Sequence, residues 1–466
     1  MASFSTVLMT PEVRQLIQEN FLERAFHDVL FPQLIFRGEA VAKEWPLAVG
    51  DIYIATGNGL MPVSARPLGA GQDPTPVSYP MEQWEVSLQK FGGTIDTDMP
   101  TSVTAISSLL VNNVTRLGLH AAQTMNAIVR AKLYNAAESG HTVADGSGSS
   151  STTIRVKRLN GFTRARRPDL AGASAVRFNP VSSANPLVVS INGVANTVIG
   201  AQPDVTGDEV GPGVLTLGTA ATWSDRDAVL SYDRSNSFNV GGGYKVDDLG
   251  SNDLPRMQDV RYAVSRLMTD NVPVHGDGNY HAHLSPEGTS AMFKDPELLN
   301  LNTGALDSYM YSDFVIGRKL NVLFIRNNQV PTRDNVLGAS SGTYTGDDPC
   351  GFELTNNGAG TGMGVERILF SGAGSIEEYF QNPGIYVTDV GVTGKMADMS
   401  PITNNGVEIT VDRVKLIMRA PTNRLQDQVS TSWLFVGGWA MRTDACAPGS
   451  NARHKRLLVM RHGREV

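Results

Sequence analysis

"TSVTAISSLLVNNVTRLGLHAAQTMNAIVRAKLYNAAE", residues 101–138, decides how the rest of the chain is read. Val103, Ile106, Leu110, Val114, Leu117, Ala121, Met125 and Ile128 recur at steps of three or four, the spacing of one helical face. No proline follows until well past Gly140. At 1.5 Å per residue this helix would be roughly 55 Å long, several times the average. A bundle needs partners of similar length, and the sequence offers none. A coiled coil needs flanking charges where this run has small and polar side chains.

Upstream, the period changes to two. Asp51-Ile-Tyr-Ile-Ala-Thr56 alternates and ends at Gly57-Asn-Gly59; Trp84, Val86 and Leu88 alternate with Glu85, Ser87 and Gln89. Between them residues 60–80 carry Pro62, Pro67, Pro74, Pro76 and Pro80, a composition that builds no core. Two strands with such a tip predict a long projecting hairpin over 51–98. An isolated hairpin is marginal in water, so this one should lie on another subunit. The contacts expected there are Pro62, Arg66, Pro67, Trp84, Val86 and Leu88, together with Phe21 of the N-terminal arm. That arm, 1–50, begins with a helix over 10–30, started by Thr10-Pro11-Glu12 and carrying Val13, Leu16, Ile17, Phe21, Ala25 and Val29 on one face.

Downstream, 141–153 (HTVADGSGSSSTT) has the composition of a flexible linker. A β-rich insertion follows to about 238, within a 141–250 segment. Leu187–Ile191 and 194–198 flank Asn192-Gly193, a favoured type I′ pair, and 214–217 and 228–232 supply further strands. The insertion opens with Arg155, Lys157, Arg158, Arg164, Arg166 and Arg167, read as a solvated or inter-subunit face because only Phe162 is interleaved. A helix returns at 254–269 (251–270 as a segment), then a mixed region over 271–404 and a strand-rich 405–466.

Composition excludes several functions. Lys and Arg number 39 against 46 Asp and Glu, a net charge of −7, which is wrong for gripping duplex DNA. Charged residues make up only 18% of the chain, so copies repel one another weakly. Cys350 and Cys446 are too few for a disulfide framework or a thiolate zinc cage. The start lacks a signal-peptide pattern and no apolar run approaches 18 residues, which predicts synthesis in a cytoplasm without a membrane span. Gly338-Ala-Ser-Ser-Gly342 fits a nucleophile-elbow pattern, but the loop-like TYTGDDPCGF after it supplies no helix. Gly394-Lys395 fails as a phosphate loop because Asp389 and Met396 stand at key positions.

His275, Asp277, His281 and His283 place four potential metal ligands within nine positions. On a strand His281 and His283 share a face, with Tyr280, Ala282 and Leu284 on the other. A third ligand requires the chain to fold back across Gly276 and Gly278. Ser285-Pro286-Glu287 is a helix start, so the segment equally reads as turn, strand, cap and helix. Structure is the expected role; no cofactor and no catalytic residue is assigned.

Three stretches carry a family likeness: Asp270-Asn-Val-Pro273 through Asn279-Tyr-His-Ala-His-Leu-Ser-Pro286; 313–325 (DFVIGRKLNVLFI) running to Val330-Pro331; and Ile368-Leu-Phe-Ser-Gly-Ala-Gly374. With the element order, they make the chain resemble the major capsid proteins of tailed bacteriophages, the Hong Kong 97-type fold, in a subfamily like that of coliphage N-four. Departures are Asn321, where glycine is common, and histidines where the strand is usually aliphatic. The resemblance implies an α+β capsid fold: N-arm, E-loop (51–98), spine helix in a P-domain (99–140), A-domain (271–404) and a C-terminal segment returning to the P-domain, plus the all-β insertion. It implies a virion protein, assembled in a host cytoplasm as hexamers and pentamers into an icosahedral head around double-stranded DNA bound without sequence preference. Implied partners are copies of itself, a portal protein and, in members that use them, scaffolding and decoration proteins. An encapsulin-like or gene-transfer-agent shell shares the fold. From another class, the rival is a metal-dependent enzyme using His275, His281 and His283.

Overall fold

The computed structural model describes residues 35–98, 109–166, 175–302, 316–331, 355–381, 385–395 and 406–464, apart from short stretches within these ranges. The expected N-terminal helix, Gly338–Gly342, Cys350 and Cys446 lie outside the described residues. The fold is mixed α+β, with few helices and many strands. It divides into two compact units: Met1–Tyr53, Glu85–Val129 and Glu377–Ala440 form one, Ile54–Trp84, Arg130–Ile376 and Met441–Val466 the other.

The long helix is Leu109–Ala137, roughly 44 Å at 1.5 Å per residue. The next longest described helix, Met257–Thr269, has 13 residues, so among the described residues no second helix matches its length. Val114, Leu117, Ala121 and Met125 are buried as their spacing requires, but the stripe continues through Val129 and Leu133 rather than Ile128, which is half-buried. Ideal helical phase, 3.6 residues per turn, accounts for that drift.

In the first unit, a sheet runs in the order Ala40–Glu44, Ile376–Phe380, Gln428–Met441, Val414–Arg419, Gly406–Val411, with Gln89–Asp98 also paired to Gln428–Met441. Ala40–Glu44 falls in the N-terminal arm, and ladder hydrogen bonds with the distant strand Ile376–Phe380 hold it extended. Trp433, Phe435 and Trp439 fill the core, and the rings of Phe435 and Trp439 stack at 5.0 Å. Trp433 Nε1 donates to His120 Nδ1 of the long helix at 3.0 Å. Buried Arg37 and Glu378 form a two-toothed pair at 2.8 and 2.6 Å, where a guanidinium fork matches a carboxylate.

The second unit holds two large sheets besides smaller ones. One is ordered Ser237–Asn239, Leu457–Gly463, Met363–Ser371, Tyr280–Leu284, Val322–Arg326, Arg318–Lys319. Its core joins Tyr280, Ala282, Leu284, Ile368, Phe370, Leu458 and Met460 to Met257, Val260 and Leu267 of a helix. The three stretches that carry the family likeness therefore meet: Tyr280–Leu284 pairs with Val322–Arg326 on one side and Met363–Ser371 on the other.

The insertion is an antiparallel sheet, ordered His141–Val143, Ala228–Ser231, Leu187–Ile191, Val194–Pro203, Gly213–Trp223, Gly148–Val156. It has its own core around Ile154, Phe162, Leu187, Val189, Leu215 and Leu217. Leu187–Ile191 and Val194–Pro203 turn at Asn192 and Gly193 with φ of 47° and 84°, the expected type I′ geometry. The expected linker, however, contains two edge strands. Ser and Thr of Gly148–Val156 face solvent, and pairing with Gly213–Trp223 orders a stretch whose composition alone would not.

Candidate functional site: an apolar hairpin and a histidine cluster

Strands Ile52–Asn58 and Met81–Ser87 are neighbours in a small sheet, in which Met81–Ser87 also pairs in parallel with Ala175–Val176. Burial alternates with the pleat. Glu82, Trp84 and Val86 point inward, while Gln83, Glu85 and Ser87 point outward. The Trp84 indole lies over Gly57, and the Arg442 guanidinium sits 5.6 Å above its ring. Trp84 and Val86, read from sequence as inter-subunit contacts, are thus covered by their own chain because the strand phase turns them inward. Leu88 is half-buried and Pro67 exposed; Pro62, Arg66 and Phe21 lie outside the described residues. Sequence reasoning missed the outward apolar set: Ile52, Ile54, Met61, Val63, Leu68, Val77 and Tyr79 are all exposed, Val63 at 93%. That is seven of the fifteen exposed large apolar side chains among the described residues, within 28 consecutive positions. Such a concentration marks an interaction surface.

The histidine segment folds as turn, strand, cap and helix. His275 N donates to Asn279 O at 3.0 Å and Gly278 N to His275 O at 2.9 Å, so the chain does fold back across Gly276 and Gly278. The His275 and His281 rings stack with centroids 3.9 Å apart and planes 5° from parallel. Asp277 Oδ1 lies 3.4 Å from His281 Nε2. Desolvation acts to raise the Asp277 pKa, but hydrogen bonds from Asn279 and the nearness of His281 outweigh it and hold the carboxyl below its usual range. His275 Nε2 also meets the Ser371 carbonyl at 3.2 Å. His283 is fully buried between Ile325 and Leu369 in register and does not join the stacked pair. Ser285 caps the next helix by accepting from Gly288 N at 2.8 Å. Two imidazoles and one carboxylate thus come together here, and His283, the third histidine of the cluster, stands apart from them.

Three of the six basic residues that open the insertion have acidic neighbours. Arg155 pairs with Asp145 and Asp204, Arg158 is buried against Glu138, and Arg164 lies 3.5 Å from Glu209.

No family model matches the chain, and no relative is found among curated proteins. Solved structures do match. The capsid of Ralstonia phage GP4 is 11% identical, covering 92% of this chain and 87% of that one, at a TM-score of 0.47. The cyanophage Pam1 capsid is 10% identical over 92% of this chain and 89% of that one, TM-score 0.48. The chain is similar to phage capsid proteins. A Mycobacterium phage Che8 structure matches at 10% identity over 92% and 90% of the two chains, TM-score 0.41. No described helix is long and apolar enough to cross a membrane.

Proposed function

We propose that this chain is the major capsid protein of a tailed double-stranded DNA bacteriophage, a structural protein without catalytic activity. It assembles as hexamers and pentamers into an icosahedral head, joins a portal protein at one vertex, and encloses the genome without sequence-specific contacts. The observation that carries the reading is the hairpin: its inner face is closed by the chain itself, and its outer face and tip display seven large apolar side chains. A second copy of the chain is the natural cover for such a surface, since buried apolar area drives association. The order of hairpin, long helix, β insertion and returning C-terminal strand supports it. So does the coliphage-like wording of three strands that share one sheet. The enzyme reading loses support because His283 stands apart from His275 and His281.

Electron microscopy of the purified full chain tests this. Closed particles tens of nanometres across are expected; a small soluble oligomer as the only species overturns it. Deleting 60–80 should leave soluble capsomers or monomers, and normal shells from that deletion would count against the hairpin as the joint.

A further inference from the structure

Beyond assembly, the second unit buries a carboxyl cluster that the proposed role does not use. Glu366 and His462 stand opposite each other on the antiparallel pair Met363–Ser371 and Leu457–Gly463, and each is 1% exposed. Directly opposed residues of such a pair point to the same face. The start of helix Pro286–Met292 lies over that face: a Cβ at Gly288 would stand 3.1 Å from Ser285 Oγ and 3.2 Å from His462 Nε2. Ser285 and Glu287 both form side-chain hydrogen bonds with Glu366. Glu287, in the first turn of the helix, also pairs with Arg464, and its side chain is 45% exposed.

The cluster is short of protons. His462 Nδ1 lies 3.0 Å from the Gly463 carbonyl, which only accepts, so Nδ1 carries the ring proton and Nε2 is an acceptor. Burial, opposed by that hydrogen bond and helped by the Arg367 charge, pushes the His462 pKa down to about 4. Ser285 Oγ already accepts from Gly288 N at 2.8 Å, so what it offers Glu366 is its one hydroxyl proton. Glu366 Oε2 and His462 Nε2 are buried with no hydrogen-bond partner among the described residues.

A hydrogen bond between two carboxyls needs a proton on one of them, because an ionised carboxylate only accepts. Glu366 is the one that holds it, since it is buried, whereas Glu287 reaches solvent and faces the Arg464 guanidinium. Burial first, and then the Glu287 carboxyl, push the Glu366 pKa up to about 7, against the Ser285 hydrogen bond and the Arg464 charge.

We infer that Glu366 and Glu287 share one proton, and that this proton is a pH-sensitive latch fastening the start of helix Pro286–Met292 to the strand pair. With the proton in place Glu366 donates to Glu287, and Glu287 in turn holds Arg464. Its loss sets two carboxylates side by side, and of the two only Glu287 can swing out to water. The charged groups acting on Glu366 are Glu287 from the helix and Arg464 from beyond the last strand, while His462 stays neutral near neutral pH. The latch is therefore closed on the acid side of neutrality and opens as pH rises through about 7. None of this depends on whether the chain builds a shell.

Isotope-edited infrared spectroscopy of the full chain, with glutamate labelled at the side-chain carboxyl carbon, tests the latch together with amide hydrogen exchange. The band of a protonated glutamate should be present at about pH 6 and lost by about pH 8.5. Protection of the Gly288 and Thr289 amides, corrected for intrinsic exchange, should fall about tenfold over that range, the linkage of a single proton. Glu366→Gln should abolish the band and make the corrected protection independent of pH. Glu287→Gln should move the loss of the band to lower pH, because the repelling carboxylate is gone. Absence of the band in the wild-type protein overturns the latch, as does a band that survives Glu366→Gln or one lost with protection unchanged. Should Glu366→Gln fail to fold, the wild-type band and its shift in Glu287→Gln decide, and an unmoved band counts against the shared proton.

Discussion

The Trp84 indole rests directly on Gly57: a Cβ at position 57 would stand 2.8 Å from Cζ3 of the ring. Gly57 is extended like its neighbours, so glycine is required here by space and not by backbone freedom. Gly57→Ala is expected to destabilise the hairpin by about 1–3 kcal/mol through overpacking. Denaturant unfolding measures it. Combining Gly57→Ala with Trp84→Leu should recover part of the loss in a double-mutant cycle, and strict additivity of the two would show that the contact is not the cause.

The outward face of the same hairpin should behave in the opposite way. Ile54 is 53% exposed and Val63 is 93% exposed, so Ile54→Asp and Val63→Asp remove little from the folded subunit. Unfolding of dispersed subunits should change by no more than about 0.5 kcal/mol. Particle yield, scored by sedimentation and electron microscopy, should collapse. Wild-type yields from both variants would place the subunit contact elsewhere.

Acid should weaken the fold, and the sign follows from five groups. Burial pushes the pKa of His462 and of His454 down to about 4, and burial with the Arg461 charge pushes His141 down to about 3. Between pH 6.5 and 4.5 the unfolded chain therefore takes up three protons that the native state refuses. Glu366 opposes them: burial, with the Glu287 carboxylate, pushes it up to about 7, so in that window the native state holds one proton the unfolded chain lacks. Three minus one leaves two, a loss of about 3 kcal/mol per pH unit on acidification. Below pH 4.5 Glu138, depressed to about 2, joins the three histidines on the losing side. Unfolding free energies at pH 7, 5.5 and 4.5 check the slope; a flat profile would mean that the histidines are protonated in the native state.

What the sequence made legible was periodic or local. The helix stripe from Val114 to Met125, the Asn192-Gly193 turn and the Ser285 cap each depend on residues within a few positions, and all three are found as read. Long-range features were not legible. Gly148–Val156 has a linker's composition and becomes a strand only because Gly213–Trp223 lies beside it. Glu138 meets Arg367 across 229 positions, and no local pattern marks that pair. Trp84 was read correctly as strand, but which face a partner would cover depended on the chain folding over it. The stacking of His275 on His281 needed the Gly278 turn, at φ of 79°, to be seen in three dimensions.

The departure at Asn321 leads to the last prediction. Arg318–Lys319 and Val322–Arg326 pair antiparallel with Lys319 opposite Val322, so Leu320 and Asn321 form a two-residue loop. Their φ values are 52° and 63°, the type I′ combination. Asparagine tolerates this left-handed region, which is why it can stand where the resembling family favours glycine. Leucine has no such tolerance, and its side chain, 40% exposed, recovers little by packing. The strain is of order 1–2 kcal/mol. Leu320→Gly should therefore stabilise the chain by about 1 kcal/mol, after the greater chain entropy of glycine in the unfolded state is subtracted, and Leu320→Asn by a similar amount. Asn321→Val should destabilise it, since a β-branched side chain fits this region worst. Denaturant midpoints of the three variants check the order, and a loss of stability in both Leu320 variants would show that the leucine side chain holds the turn by packing.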